Sequence, residues 1–522
     1  MNTTSVRDLD GLHLDVAIIG GGINGASAAQ HFSAAGYRVL VVDQGDFADG
    51  ASSRSSRLLH CGLRHLATGA NFWSSLLHPD RLLRSMGTVR ADMVARDEIV
   101  RSIPGRVKAM NFCLPIYEDD QYAPWHMDAA FSALRLMSPA GVPLEYRRYH
   151  PDKLDQVPVA SWLRDRGKLR SVAVFREYLF DWPERIALDA LFDAQRMGAL
   201  VHNYTRVEKL ERVAPEGHWH LALRATGGAG AVAGETAQVT AGIVLNLTGA
   251  WVDDVIGATG QNARPKCTGM KGIHIAVRLP DAFAGWGVFA YNSIGEPLYC
   301  LPWRGFHYIG LTRTPFDGEL ASVIASDQEI DWLIAESNRC LPRLALSRSD
   351  ILYTWAGVNP LTHDAGDPMG SREIKIHGPG ADGPSGIFTL TGGAIMTHRR
   401  VAGRLLRKVS KQIAPSGAAQ KLRFDPDPGD IGSDGARLIA GEHSVSVAEV
   451  LRCARDEQPA TLSDLIMRRL GLGWDNDQGL ALARPVAEVA APVLQWSDAR
   501  IEAEVSAFEA HLQAARRRPG VP

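Results

Sequence analysis

Short apolar runs closed by glycine-rich or polar turns recur along the chain, and the clearest lies near its start. Val16–Ile19 enters the turn Gly20-Gly21-Gly22-Ile23-Asn24-Gly25; a small-residue stretch of helical character then leads to a second run, Val39–Val42, closed by Asp43. Apolar runs of about four to eight residues bounded by turn signals fit buried strands, so the order predicted is strand, turn, helix, strand. Helical spacing follows over 71–106, stopped by Pro104-Gly105, and over Asp189–Met197, stopped by Gly198. Residues 110–162, rich in Pro, Tyr and Trp, read as an excursion from this first unit, and Ser171–Arg185 as the return to it. Leu200–Asn203, Val207–Leu210, His218–Arg224 and Val239–Val244 alternate as strands, with a Gly/Ala-rich hairpin at 226–234. Between 266 and 346, Ile273–Val277, Pro297–Pro302 and Tyr308–Leu311 are predicted to form an antiparallel sheet that roofs a site. Two further apolar strands, in 243–251 and 388–391, exit into glycine turns, the second through Gly392-Gly393 into a helix reaching Val409. Residues 414–440 read as a linker, and Val445–Asp456, Leu462–Arg469, Leu480–Leu494 and Ser497–Arg516 as helices. In the last, Ile501, Val505, Phe508 and Leu512 make one apolar stripe, Ser497 is the cap, and Arg516–Arg518 suits a solvated, negative helix end.

The first unit carries chemistry of its own. In its GxGxxG pattern Gly20 gives a tight turn, Gly22 lets a pyrophosphate approach the backbone, and Gly25 lets helix and strand touch; the amides at the helix start attract phosphate. Asp43, about twenty residues past the turn, would accept hydrogen bonds from an adenosine ribose. Together these residues predict a dinucleotide site. The start of the helix after Gly393 carries about half a positive charge, suited to an anionic ligand or to ordinary helix docking. Gly50–Leu66, GASSRSSRLLHCGLRHL, is neither alternating nor helical, and by itself reads as a capped, solvated loop or as a binding segment.

With 522 residues, 45% hydrophobic and 22% charged, the chain has the material for about two to four domains. A net charge of −2 gives no overall field for nucleic acid or an anionic membrane. Cysteines 61, 113, 267, 300, 340 and 453 stand singly, which predicts reduced thiols in the cytoplasm and no metal site. The N-terminus lacks an apolar signal core, and no apolar run reaches about eighteen residues; a peripheral contact with the inner face of the membrane stays open.

The serine-rich segment and its continuation through Gly62-Leu63-Arg64, with KGIHIAV (271–277), IGLTRT (309–314), WAGVNPL (355–361) and FTLTGGAIMTHR (388–399), resemble the FAD-dependent glycerol-3-phosphate dehydrogenases, flavoproteins of the D-amino-acid-oxidase type. The resemblance spans nearly the whole chain. It implies an α/β fold: a Rossmann-like FAD-binding domain (1–106, 166–262 and 351–413), an antiparallel-sheet substrate or cap domain (107–165 and 263–350), and a linker with a C-terminal helical domain (414–522). It also implies FAD contacts at Gly20, Gly22, Asn24, Gly25 and Asp43, then at Ser52, Ser53, Ser56, Arg57 and Leu58. Val207 falls at the adenine, Thr248, Gly249 and Trp251 at a second phosphate or ribose contact, and Gly393, Ile395 and Met396 at the flavin ring. Arg64 and Thr312 are implied to position the substrate, with Arg313 beside them and His274 accepting the proton of a hydroxyl or amine.

Five positions depart from the family: Cys61 replaces Gly, His65 replaces Tyr, Arg313 replaces an acidic residue, Asn359 replaces Arg and Ala394 replaces Lys. The last two cations bind substrate phosphate in the family. A charge-assisted hydrogen bond contributes about 1.5–3 kcal/mol, so losing both lowers affinity steeply unless Arg64, Arg313, Arg399, His65 or His398 substitutes. The expectation is an FAD-dependent oxidation of a small polyol phosphate, with an unphosphorylated amine or hydroxy acid, or a non-catalytic flavin protein, as alternatives. Electrons would leave to a quinone, another carrier or oxygen.

Overall fold

The computed structural model describes residues 5–63, 79–120, 122–138, 141–213, 217–227, 233–260, 264–380, 383–424, 436–440 and 443–519. The first strand, His13–Ile19, is buried beyond its first residue and pairs in parallel with Val39–Val42 on one side and Thr236–Asn246 on the other. Leu200–His202 extends the sheet beyond Val39–Val42, and Ile387–Thr391 beyond Thr236–Asn246, both in parallel. Thr205–Arg212 and Trp219–Ala225 add an antiparallel flap. The first helix, Ile23–Ala34, lies on this sheet with the helices Pro183–Arg196 and His398–Val409. Its side chains are small, so it is buried on nearly every side: Ala26, Ala28 and Ala29 are fully enclosed.

A second, larger sheet runs in the order 367–371, 351–364, 267–277, 306–310, 297–303, 286–291, 107–117, 169–180, 58–59. Every pairing along it is antiparallel except that of Trp286–Tyr291 with Val107–Tyr117. Here the structure differs from the expected boundaries. Leu169–Phe180 pairs along its length with Val107–Tyr117, so the chain leaves the roof at Phe180 rather than near 166. Ile351–Asp364 pairs with Cys267–Val277 and also belongs to the roof. Both strands are buried on both faces for much of their length, and such strands lack the alternation that would assign them to one sheet.

The C-terminal helices Val447–Asp456, Leu480–Leu494 and Asp498–Ala515 pack on one face of the roof, sharing a core with Trp303, Tyr308 and Trp355. Ile501, Phe508 and Leu512 are buried as the stripe predicts, and Ser497 accepts from the Arg500 N–H. Leu462–Arg469 contains a π-helical turn, Asp464–Arg469, that directs two adjacent arginines inward. Arg468 and Arg469 both reach Asp46, in the loop after Asp43; Arg469 does so through Nη1 at 2.5 Å and Nη2 at 2.8 Å. Burial alone would raise the Asp46 pKa, but the two guanidiniums hold it well below the usual carboxylate range. Arg516 is also turned inward, at 4% exposure, in place of the solvated helix end expected for it. Among the described residues no helix is long and apolar enough to cross a membrane.

Candidate active site

The three glycines of the first turn are fixed by different neighbours. Gly20 has φ +103°, and a Cβ there would lie 2.7 Å from the Leu247 carbonyl oxygen; one at Gly25 would lie 1.8 Å from the Gly20 oxygen. At Gly22 the nearest atom to a Cβ is the Ser52 hydroxyl, at 3.1 Å. That hydroxyl accepts from the Ile23 N–H at 3.0 Å, which puts the serine-rich segment at the start of the first helix. Amides in a first helical turn have no acceptor within the helix, so this turn, with Asn24 in it, fits a diphosphate. Asp43 accepts from the Gly21 and Gly45 N–H groups at 2.7 and 3.0 Å. Burial dominates over these bonds and raises its pKa to about 7. Thr205 donates its N–H to the Asp43 carbonyl, so Val207 follows two residues along the adjoining strand.

The other glycine turns converge on this one. A Cβ at Gly20 would lie 3.0 Å from Thr248 Cα, and one at Gly249 3.9 Å from Pro360. Trp251 lies against Gly50, before the serine-rich segment. Gly392 donates its N–H to the Pro360 carbonyl at 2.9 Å, and Gly393 has φ +89° before the turn Ile395–Thr397 and the helix His398–Val409. Asn359 and Ala394, the two positions without the family's cations, are thereby brought to one neighbourhood.

Several expected contacts are placed differently. The Met396 and Leu58 side chains lie in the core, leaving only backbone to face a cofactor. Ser53 uses its hydroxyl on the Gly50 carbonyl, and the Ser56 carbonyl accepts from Tyr308 OH at 2.7 Å. Arg57 is fully buried: its guanidinium is held between Trp303 and Trp474, at 4.2 and 4.0 Å, and pairs with Glu184 at 3.5 Å. Its side chain is therefore committed to the C-terminal interface. Arg399 donates to Ser102 at 2.6 Å, and His398 and Arg399 line a cavity between the first helix and Pro183–Arg196, so neither is a substitute on the substrate side. Helical register turns both inward. Arg64 and His65 lie outside the described residues.

His274 is 1% exposed, stacked on Trp355 at 4.8 Å and edge-on to Tyr308 at 5.7 Å; neither ring nitrogen has a hydrogen-bond partner. Burial, then the charge of Arg57, lowers its pKa to about 3. Thr312 accepts from the Ile273 N–H at 3.0 Å, so its hydroxyl first holds the strand beside His274. Arg313 pairs with Glu296 at 3.3 Å, which offsets its charge. Sequence reasoning missed the Arg57–Trp303–Trp474 stack and the Asp46–Arg468–Arg469 cluster; the arginine doublet inside an apolar stretch was the available signal.

Residues 15–407 match the family described as FAD dependent oxidoreductase, and 416–501 match the C-terminal domain of alpha-glycerophosphate oxidase. The chain belongs to the FAD-dependent oxidoreductases. A glycerol-3-phosphate dehydrogenase of Synechocystis is 31% identical over 430 residues, covering 80% of this chain and 73% of that protein. An aerobic glycerol-3-phosphate dehydrogenase of Staphylococcus aureus is 25% identical, covering 96% of this chain and 95% of its own. The fold matches the glycerol-3-phosphate dehydrogenase of Bacillus halodurans complexed with FAD at a TM-score of 0.72 and 20% identity, over 99% of this chain and 98% of that one. The chain is thus an FAD-dependent enzyme of the D-amino-acid-oxidase type, with a Rossmann-like domain, an antiparallel roof and a C-terminal helical domain.

Proposed function

We propose that this FAD-dependent oxidoreductase oxidises a hydroxyl-bearing carbon of a small polyol phosphate, glycerol 3-phosphate or a near analogue, with His274 accepting the hydroxyl proton. The observation that carries the proposal is His274 itself: a buried imidazole with two unused nitrogens, on the roof strand between aromatic rings. A buried polar group without a partner costs about 1–3 kcal/mol, and a substrate hydroxyl would remove that cost. His274 must be neutral to take the proton, and its surroundings keep it so at neutral pH. Thr312 fixes the backbone of the same strand, and Arg64 would orient the substrate. FAD, when bound, supplies the electron acceptor. The first helix start, Ser52 and Asp43 would hold its adenosine diphosphate end, with Val207, Thr248, Gly249 and Trp251 nearby. The start of the Gly393-led helix would stabilise negative charge on the ring.

Asn359 and Ala394 favour a second reading, an amine or hydroxy acid without phosphate, because both cations expected for phosphate are missing. Anaerobic mixing of the holoprotein with a substrate panel separates the two. Bleaching of the flavin by glycerol 3-phosphate or related polyol phosphates supports the first reading; bleaching only by amines or hydroxy acids replaces it with the second. The electrons would then pass to a quinone, another carrier or oxygen at a cytoplasmic or inner-membrane-face location.

A further inference from the structure

A second cluster, unused by this chemistry, lies where the C-terminal domain meets the serine-rich segment and the roof. A cavity of about 30 Å³ is lined there by Ser53, Arg54, Trp355, Arg468, His511 and Arg516, and by the carboxylates Asp49 and Glu184. One water needs roughly 10–15 Å³ on such a measure, so the space takes a few waters or one compact ion. These carboxylates, and Asp46 beside them, each already hold a cation, although Oε2 of Glu184 has no hydrogen-bond partner. Asp46 and Asp49 hold Arg468, and Glu184 holds Arg57 and accepts from the Trp474 indole N–H at 2.8 Å.

Arg516 is the cation left over. It is stacked 3.8 Å over Trp474 and 4.8 Å over Tyr353, and donates through Nη1 to the Gly473 carbonyl at 2.7 Å. Its Nε and Nη2 have no partner, although the side chain is 96% buried by its 4% exposure. Burial lowers its pKa only to about 10, so it stays charged at neutral pH. Arg54 reaches a carboxylate, Asp49, only at 3.9 Å. An enclosed cation with unused donors is unfavourable unless an anion takes them.

We propose that this cavity binds a small tetrahedral oxyanion, inorganic phosphate or the phosphoryl group of a metabolite, through Arg516 and Arg54 with His511 as a third contact. Arg54 and Arg516 come from two distant parts of the chain and line one cavity, and two guanidiniums offer the several N–H donors that an oxyanion accepts. The site is separate from the proposed redox centre but touches its frame. Trp355 forms part of the wall and stacks on His274, and a Cβ at Gly357 would lie 2.7 Å from Arg54 Cβ. An ion held here braces the serine-rich segment against the roof.

The inference does not depend on which substrate is oxidised. It is tested by calorimetric titration of the holoenzyme with inorganic phosphate and, separately, with glycerol 2-phosphate, in the parent and in Arg516→Met and Arg54→Gln. FAD content and circular dichroism check each fold, and Arg54→Gln carries the test should Arg516→Met fail to fold. The expected result is binding of at least one probe that weakens tenfold or more in the variants; the tighter probe shows whether a free ion or an ester is preferred. Equal affinity in parent and variants, or no binding of either probe to the parent, overturns the proposal.

Discussion

Acidifying the reaction from about pH 8 to about pH 5 should leave the saturated rate of flavin reduction nearly unchanged as far as His274 is concerned. An imidazole with the ordinary pKa of about 6.5 is only about 3% neutral at pH 5, so a rate that needs the neutral form would fall about 30-fold. In this structure burial and then the Arg57 charge place the pKa at about 3, and the neutral form still dominates at pH 5. The same shift has a consequence for stability. The unfolded chain takes up a proton near pH 6.5 that the folded chain refuses, so stability is lost as pH falls below 6.5, by about 2 kcal/mol at pH 5. Circular dichroism at each pH separates that loss from an effect on rate. The assay is anaerobic stopped-flow bleaching at saturating substrate, which keeps the substrate's own ionisation out of the rate. His274→Ala should slow it by about 10²–10⁴ while retaining FAD. A parent rate that falls tenfold per pH unit below 6.5, or an alanine variant as fast as the parent, would refute the reasoning.

Three further expectations follow from the same geometry. Gly25→Ala puts a methyl group 1.8 Å from the Gly20 oxygen; purified protein should carry little or no FAD, and normal cofactor content would contradict the close packing. Arg469→Met removes two hydrogen bonds to buried Asp46 and should cost about 3–5 kcal/mol in urea unfolding. Because Asp46 is held below its usual range, that contribution is present above about pH 4 and lost on further acidification; unchanged midpoints at neutral pH would argue against the pair. Asn359→Arg with Ala394→Lys should raise kcat/KM for glycerol 3-phosphate by at least tenfold, at about 1.5–3 kcal/mol for each phosphate contact. Turnover that stays undetectable would mean that missing charge is not the barrier.

How much of this was legible depended on whether a residue's role was local. Gly20, Gly22, Gly25 and Asp43 act within one strand–turn–helix unit, and spacing alone reveals them. The stripe Ile501, Val505, Phe508 and Leu512 likewise follows from helical period. The roof strand Leu169–Phe180 was assigned to the wrong layer because burial on both faces erases alternation. Arg57, an FAD contact by the resemblance, and Arg516, the first of a basic run that suits a solvated helix end, are settled by packing instead, because only the fold brings Trp303, Trp474 and Tyr353 to their faces. His398 and Arg399 follow the Gly392-Gly393 turn, but one helical turn is enough to point them into a separate cavity. The substrate side is the least legible part, because the resemblance expects cations at positions 359 and 394 where the sequence has Asn and Ala, and no local pattern points to others.

The central claim is that two glycine-led helix starts, after Gly22 and after Gly393, meet on one flavin. A diffraction structure of the purified holoprotein tests it most directly. The account predicts FAD with its diphosphate at the start of the Ile23–Ala34 helix beside Ser52, its ribose at Asp43, and its ring beside the turn that opens the His398–Val409 helix. A different nucleotide in the groove, or a ring lying away from Gly393, would contradict it.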